Sequence, residues 1–243
     1  MKKEILGIKI DDITIDEIIK TVQGWLSKSG RRPFDGTQDH RHYIVTPNPE
    51  IVVMAQKDRE LKDIINKADL AIADGVGLKL SGNIKSITPG TDILAGLVKM
   101  ASVWGFTTGF LGGREDVAEK AAERLLRKYP KLKVVFAGPG GEVSKDGTLL
   151  KSLKLAKCDL LFVAFGPPKQ EKWIYKNLDK LDVKVAMGVG GAFDYLSGQI
   201  PRAPRWIRNL GFEWLFRLAV QPWRIKRQLA LVKYLFYVKL KLW

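Results

Sequence analysis

The chain of 243 residues carries a single cysteine, Cys158, and two histidines, His40 and His42. One cysteine excludes an internal disulfide and a thiolate zinc site, and agrees with a reducing compartment. Cys158 lies beside an apolar run, so inert burial is expected. The histidines fall in a polar stretch and are too few to build a metal cluster by themselves. No run of eighteen apolar residues occurs, so no segment is expected to span a bilayer. The start, MKKEILGIKIDD, is basic and then apolar, but Asp11 and Asp12 interrupt it before a signal-peptide core is complete. Internal repeats and low-complexity stretches are absent as well.

Acid is scarce too: 26 acidic residues face 41 basic ones, a formal net charge of +15. The excess is unevenly placed. From Pro201 to Trp243 ten Lys or Arg stand against the single acid Glu213. A basic face at one end of the molecule calls for an anionic partner: phosphate, nucleic acid or an acidic membrane surface. The remaining composition, 46% hydrophobic and 28% charged, is that of a soluble globular protein large enough to bury a real core.

Short apolar runs alternate with helical spacing along most of the chain. Ile5 to Ile10 predicts a first strand, and Thr14 with Glu17 forms a Thr-x-x-Glu capping box ahead of a helix on which Ile15, Ile18, Ile19, Val22, Trp25 and Leu26 recur. Ser29 to His42 reads as a loop. Tyr43 to Val45 is a second strand, after which Asn48 caps a helix with Pro49 at its first position. Helical spacing runs from Ile51 to Ala68, then again through Ile93–Val103 and Glu115–Lys128. Leu70–Ala73, Thr107–Leu111, Val134–Ala137, Leu160–Ala164 and Val183–Met187 complete the strands. The alternation predicts an α/β fold with a parallel, doubly wound, Rossmann-like sheet carrying helices on both faces.

In such a sheet ligands gather at the carboxyl ends of the strands. Asp74 stands there, at the end of Leu70–Ala73, with Gly75 and Gly77 free to turn the chain sharply. Capping of the next helix explains the same Asp, and from these residues alone it comes first. Gly112-Gly113 before a helix offers unpaired N–H groups to an anion, a weak signal on its own. Gly166 to Trp173 places Lys169 and Gln170 at a helix start. Gly188-Val189-Gly190-Gly191-Ala192-Phe193-Asp194 resembles a dinucleotide fingerprint, but Phe193 takes the place of the third glycine, which disfavours a nicotinamide enzyme. Its glycines still let a nucleotide approach the backbone at Gly190, with Asp194 in reach of a ribose hydroxyl; a tight turn with a capping Asp explains them equally.

The tail differs from the rest. Four of the seven tryptophans lie here, Trp206, Trp214, Trp223 and Trp243, interleaved with basic residues. Pro222 is expected to open a last helix on which Ile225, Leu229, Val232, Phe236 and Leu240 share a face. Trp, Arg and Lys around an apolar stripe is the pattern of a helix lying in a membrane interface; packing of that helix on the domain is the competing account. The expected division is therefore a catalytic domain, 1–196, and a basic helical appendage, 197–243.

Taken together, Thr46-Pro47-Asn48-Pro49-Glu50, Ala73-Asp74-Gly75-Val76-Gly77, Gly166 to Trp173, Gly188 to Asp194 and Arg202-Ala203-Pro204 resemble the WecG/TagA/CpsF glycosyltransferases. The resemblance implies an inverting, metal-independent enzyme without a cofactor. It would move N-acetylmannosamine or a related hexose from a UDP donor to N-acetylglucosamine on undecaprenyl diphosphate, in wall teichoic acid or other surface-polysaccharide synthesis. It further implies Asp74 as catalytic base, Thr46, Asn48 and Gln170 in the substrate pocket, and Arg217, Arg224 and Arg227 approaching the diphosphates from a tail on the inner, cytoplasmic face of the membrane. One departure stands out: family members commonly carry an arginine just before the Gly-x-Asp that here is Gly90-Thr91-Asp92, whereas this chain reads Ser86-Ile87-Thr88-Pro89, with Lys85 or Arg114 as candidate substitutes. The loop from Ser29 to His42 also looks longer than usual. An apolar, basic tail further allows self-association. The alternative weighed from charge and aromatics alone is a single-stranded nucleic-acid-binding protein without catalysis.

Overall fold

A computed structural model describes residues 2–28, 41–81, 84–140, 153–154 and 156–240. Nearly all of the loop expected from Ser29 to His42 lies outside them. In chain order the elements are β1 (Lys2–Ile5), β2 (Ile8–Asp11), α1 (Ile15–Lys28), β3 (His42–Val45), α2 (Pro49–Ala55), α3 (Arg59–Lys67) and β4 (Leu70–Ala71). A short 3-10 helix, Val76–Ser81, precedes α4 (Gly90–Trp104), β5 (Thr107–Gly112), α5 (Val117–Lys128) and β6 (Lys133–Gly138). Then come β7 (Cys158–Ala164), α6 (Lys169–Asn177), β8 (Val183–Gly188), α7 (Ala192–Leu196), α8 (Arg205–Asn209), α9 (Glu213–Val220) and α10 (Ile225–Lys239).

The six-stranded sheet has the order β4-β3-β8-β7-β5-β6. Its registers pair His42 with Val185, Cys158 with Val183, Thr108 with Leu160 and Thr107 with Lys133, all parallel. This is the Rossmann-like α/β sheet that the alternation of apolar runs predicts.

By contacts the chain falls into two compact units: Met1–Thr14, Val45–Pro89 and Ile200–Trp243 form one, and Ile15–Ile44 with Gly90–Gln199 the other. In the second unit Phe110 meets Phe162 and Phe193 at ring-centroid distances of 5.5 and 5.7 Å, and all three rings are fully buried. In the first, Ile8, Ile10, Leu61 and Ile64 are buried where α3 packs on β2. The segment from Ile200 onward belongs to that unit, with α10 packed on α2 and on the 3-10 helix.

Two elements differ from the sequence reading. Ile5 to Ile10 is not one strand but the middle of an antiparallel hairpin, because Leu6 and Gly7 both take positive φ (50° and 74°) and form a two-residue turn. The helical stretch from Ile51 to Ala68 is two helices. Asp58 breaks it by turning its side chain onto Leu61 N–H at 3.0 Å, which starts α3 afresh.

Candidate active site

In the first unit the loop carrying Asp74 is fixed by its backbone. Ile72 N–H donates to the Val45 carbonyl at 2.9 Å, Asp74 N–H to that of Pro47 at 2.8 Å, and Thr88 N–H to that of Ala73 at 3.0 Å. Gly75 then turns the chain at φ 93°, a value that a side chain resists. Asp74 itself is half-buried, and the element after it is the 3-10 helix rather than an α-helix.

The two acids that interrupt the apolar start tie this loop to the end of β2. Asp11 Oδ2 accepts from Ala71 N–H at 2.9 Å, and Asp12 Oδ1 accepts from Ser86 N–H at 2.7 Å and Lys85 N–H at 3.2 Å. Burial raises the Asp12 pKa, but the N–H groups of Ser86 and Lys85, joined by the Ser86 hydroxyl and the Lys3 charge, outweigh it and hold the carboxyl below its ordinary value. Sequence reasoning gave Asp11 and Asp12 no structural part. Their signal was available as adjacent carboxylates at a strand end, but no local pattern says which distant N–H they reach.

Thr46 is buried and Asn48 half-buried. Asn48 Oδ1 accepts from Ile51 N–H at 3.0 Å, capping α2 with Pro49 at its first position as expected. The tail closes on the same loop. A Cβ at Gly77 would lie 2.8 Å from Leu231 Cδ1 and 2.7 Å from Pro49 Cγ, and one at Gly211 would lie 3.0 Å from Val76 Cγ1. Tyr234 is fully buried, and that burial raises its phenol pKa, offset in part by the Ser81 hydroxyl. Arg217 Nε donates to Gln221 Oε1 at 3.3 Å, and Arg224 is half-buried. Arg227 lies in the first turn of α10, and its side chain is outside the described residues. On the other face of α10, Ile225, Leu229, Val232, Phe236 and Leu240 are each more than half exposed. The apolar stripe read from the sequence is thus not the face that packs. Leu231 and Tyr234 do that, and their role was hidden among equally apolar neighbours.

In the second unit, the turns after β7 and β8 converge on Gln170. Its Oε1 accepts from Gly166 N–H at 3.2 Å and from Gly190 N–H at 2.9 Å, and its Nε2 donates to Glu171 Oε1 at 2.8 Å. Both side chains are buried, to 2% and 1% exposure. Asp194 is half-buried in the first turn of α7, where its carbonyl accepts from the Ser197 hydroxyl at 3.1 Å. Of the glycine pair after β5, Gly113 N–H is already bonded to the Ala164 carbonyl at 3.0 Å, which removes one donor from the anion site its sequence suggests. Arg114 is exposed, as is Lys85. Cys158 is buried, and desolvation, followed by the Asp159 charge, pushes its thiol far above the ordinary range.

The family description "Glycosyl transferase WecG/TagA/CpsF family" matches residues 3–243. The chain belongs to this family. Among curated relatives, an N-acetylglucosaminyldiphosphoundecaprenol N-acetyl-beta-D-mannosaminyltransferase of Bacillus subtilis (strain 168) is 35% identical over 79% of this chain and 76% of its own length. The protein of the same name from Staphylococcus aureus (strain MRSA252) is 33% identical over 93% of this chain and 87% of its own. As a WecG/TagA/CpsF glycosyltransferase, the chain carries Asp74 on a braced loop and the basic tail within one compact unit, and the turns that suggest a nucleotide site in the other. Among the described residues no helix is long and apolar enough to cross a membrane, and no group of three or more His, Cys, Asp or Glu side chains is gathered for a metal ion.

Proposed function

We propose that this glycosyltransferase moves N-acetylmannosamine, or a closely related hexose, from a UDP donor to N-acetylglucosamine on undecaprenyl diphosphate, with inversion and without a metal. The observation that carries the reading is the packing of α10 on the 3-10 helix just after Asp74, which joins a carboxylate at a strand end to a basic, Trp-rich tail in one unit. The names of the two relatives supply the sugar and the acceptor.

On this reading Asp74 takes the proton of the acceptor hydroxyl as its oxygen attacks the anomeric carbon. The bond from that carbon to the UDP oxygen breaks on the opposite face. A positioned base contributes about 10²- to 10⁴-fold. The charge developing on departing UDP is met by N–H groups and by Arg217, Arg224 and Arg227, since charge-assisted bonds are the strong ones. Thr46 and Asn48 line the pocket, and Gly190 and Asp194 take part in donor binding. The exposed stripe of α10 lies in the membrane interface on the side where the lipid-linked acceptor is presented, each nearby Lys or Arg adding about 1 kcal/mol. Away from the membrane a second copy can cover the same stripe. A nucleic-acid-binding role is not favoured, because it gives no part to Asp74 or to the turns after β7 and β8.

The test is a screen of UDP-sugars against a lipid-linked N-acetylglucosamine acceptor, with and without anionic liposomes. Turnover of UDP-N-acetylmannosamine, faster on liposomes, is expected. Absence of any glycosyl product with every donor would refute the reading.

A further inference from the structure

The resemblance places Gln170 in the substrate pocket, yet three of its amide contacts go to the protein. Gly166 N–H and Gly190 N–H can only donate, so the atom facing both must be the oxygen. The nitrogen then faces an acceptor, Glu171 Oε1. Only this orientation satisfies all three. The grip on Gly166 is reciprocal, since Gln170 N–H donates to the Gly166 carbonyl at 3.1 Å. Gly188 leaves room for it: a Cβ there would stand 2.8 Å from Gln170 Nε2 and 3.1 Å from Cδ. Burying two polar side chains at one helix start is costly compared with apolar residues of similar size. Trp173 and Ile174, buried on the same helix, show that α6 has an apolar face to offer.

We propose that Gln170 and Glu171 form a clasp that sets the spacing of the turns after β7 and β8, making Gln170 a positioning residue for the donor rather than a direct contact. The proposal rests on the donor-binding part of the reading above. The clasp needs an oxygen toward the glycines and complementary groups between positions 170 and 171. It does not need an amide at 170.

A charge swap tests this. In Gln170→Glu a carboxylate oxygen still accepts from both glycines, but its partner oxygen meets that of Glu171 at the 2.8 Å separation now spanned by a hydrogen bond. Adding Glu171→Gln restores a donor opposite an acceptor. The single variant should lower the thermal midpoint and raise the donor KM by about tenfold or more, with a smaller change in acceptor KM. The double variant should recover both to within about threefold in KM. Gly188→Ala should reproduce the donor KM loss without being rescued by Glu171→Gln. Where Gln170→Glu yields no folded protein, recovery of folded protein in the double variant reads the same complementarity.

A double variant no more stable than Gln170→Glu overturns the clasp. Recovered stability with donor KM still raised overturns the positioning role and returns Gln170 to direct contact. The unfolding data decide the clasp even if no UDP-sugar is turned over, an outcome that would instead sink the proposed function.

Discussion

Replacing Gly77 by Ala probes the contact between α10 and the Asp74 loop. The new methyl would stand 2.7 Å from Pro49 Cγ and 2.8 Å from Leu231 Cδ1, both inside any real carbon–carbon contact. Leu231 Cδ1 ends a flexible side chain and can swing away, whereas Pro49 Cγ sits in a ring at the first position of α2. Overpacking of this kind costs about 1–3 kcal/mol. Loss of glycine freedom in the unfolded chain offsets about 0.4–1 kcal/mol of it. A net destabilisation of up to about 2.6 kcal/mol follows, read as a shift in denaturant midpoint at unchanged slope. Leu231→Ala relieves one of the two clashes, so the double variant should be less destabilised than the sum of the singles by at least about 0.5 kcal/mol. Additive effects would refute the packing of the tail on this loop.

Three further outcomes are expected. Val232→Glu with Phe236→Glu, both on the exposed stripe, should leave the unfolding midpoint near that of wild type but abolish sedimentation with anionic liposomes; undiminished binding would remove the stripe from the membrane contact. Asp12→Asn should destabilise the protein at neutral pH. Because the folded pKa of Asp12 lies below its unfolded value, its stabilisation is full above the unfolded carboxylate range and fades as pH falls through the folded value. The gap between wild type and Asp12→Asn therefore closes in acid, and a gap that widens there would contradict the assignment. Cys158, buried with its thiol pKa raised, should resist alkylation in the native protein and react on unfolding; rapid native labelling would show the burial to be wrong.

Much of the fold was legible because each strand of the large sheet is a short apolar run bounded by turn residues, and because Asn48-Pro49 spells a helix start that the structure realises. The misreadings have local causes. Gly7 inside an apolar run signals a turn as readily as a strand interior, and only pairing of Lys2–Ile5 with Ile8–Asp11 decides it. Asp58 within a helical period was a cap in plain view. Of the candidate site, Asp74 and its turn could be named from strand-end position and glycine spacing. Gln170 could be placed at a helix start from the sequence, but in the pocket only through resemblance, and its bonds to Gly166 and Gly190 depend on two strands lying side by side, which no local pattern encodes. The same holds for α10: periodicity finds its apolar face, but not that Leu231 and Tyr234 pack while Val232 and Phe236 stay exposed.

The most direct test of the central claim is the rate of transfer from UDP-N-acetylmannosamine to a lipid-linked N-acetylglucosamine acceptor by Asp74→Asn, whose side chain keeps the size of the acid but cannot take a proton. With Asp74 as the base, kcat falls by about 10²- to 10⁴-fold while the unfolding midpoint and donor KM stay close to wild type. Transfer at the wild-type rate would show that the proton leaves by another route and that Asp74 only shapes its loop.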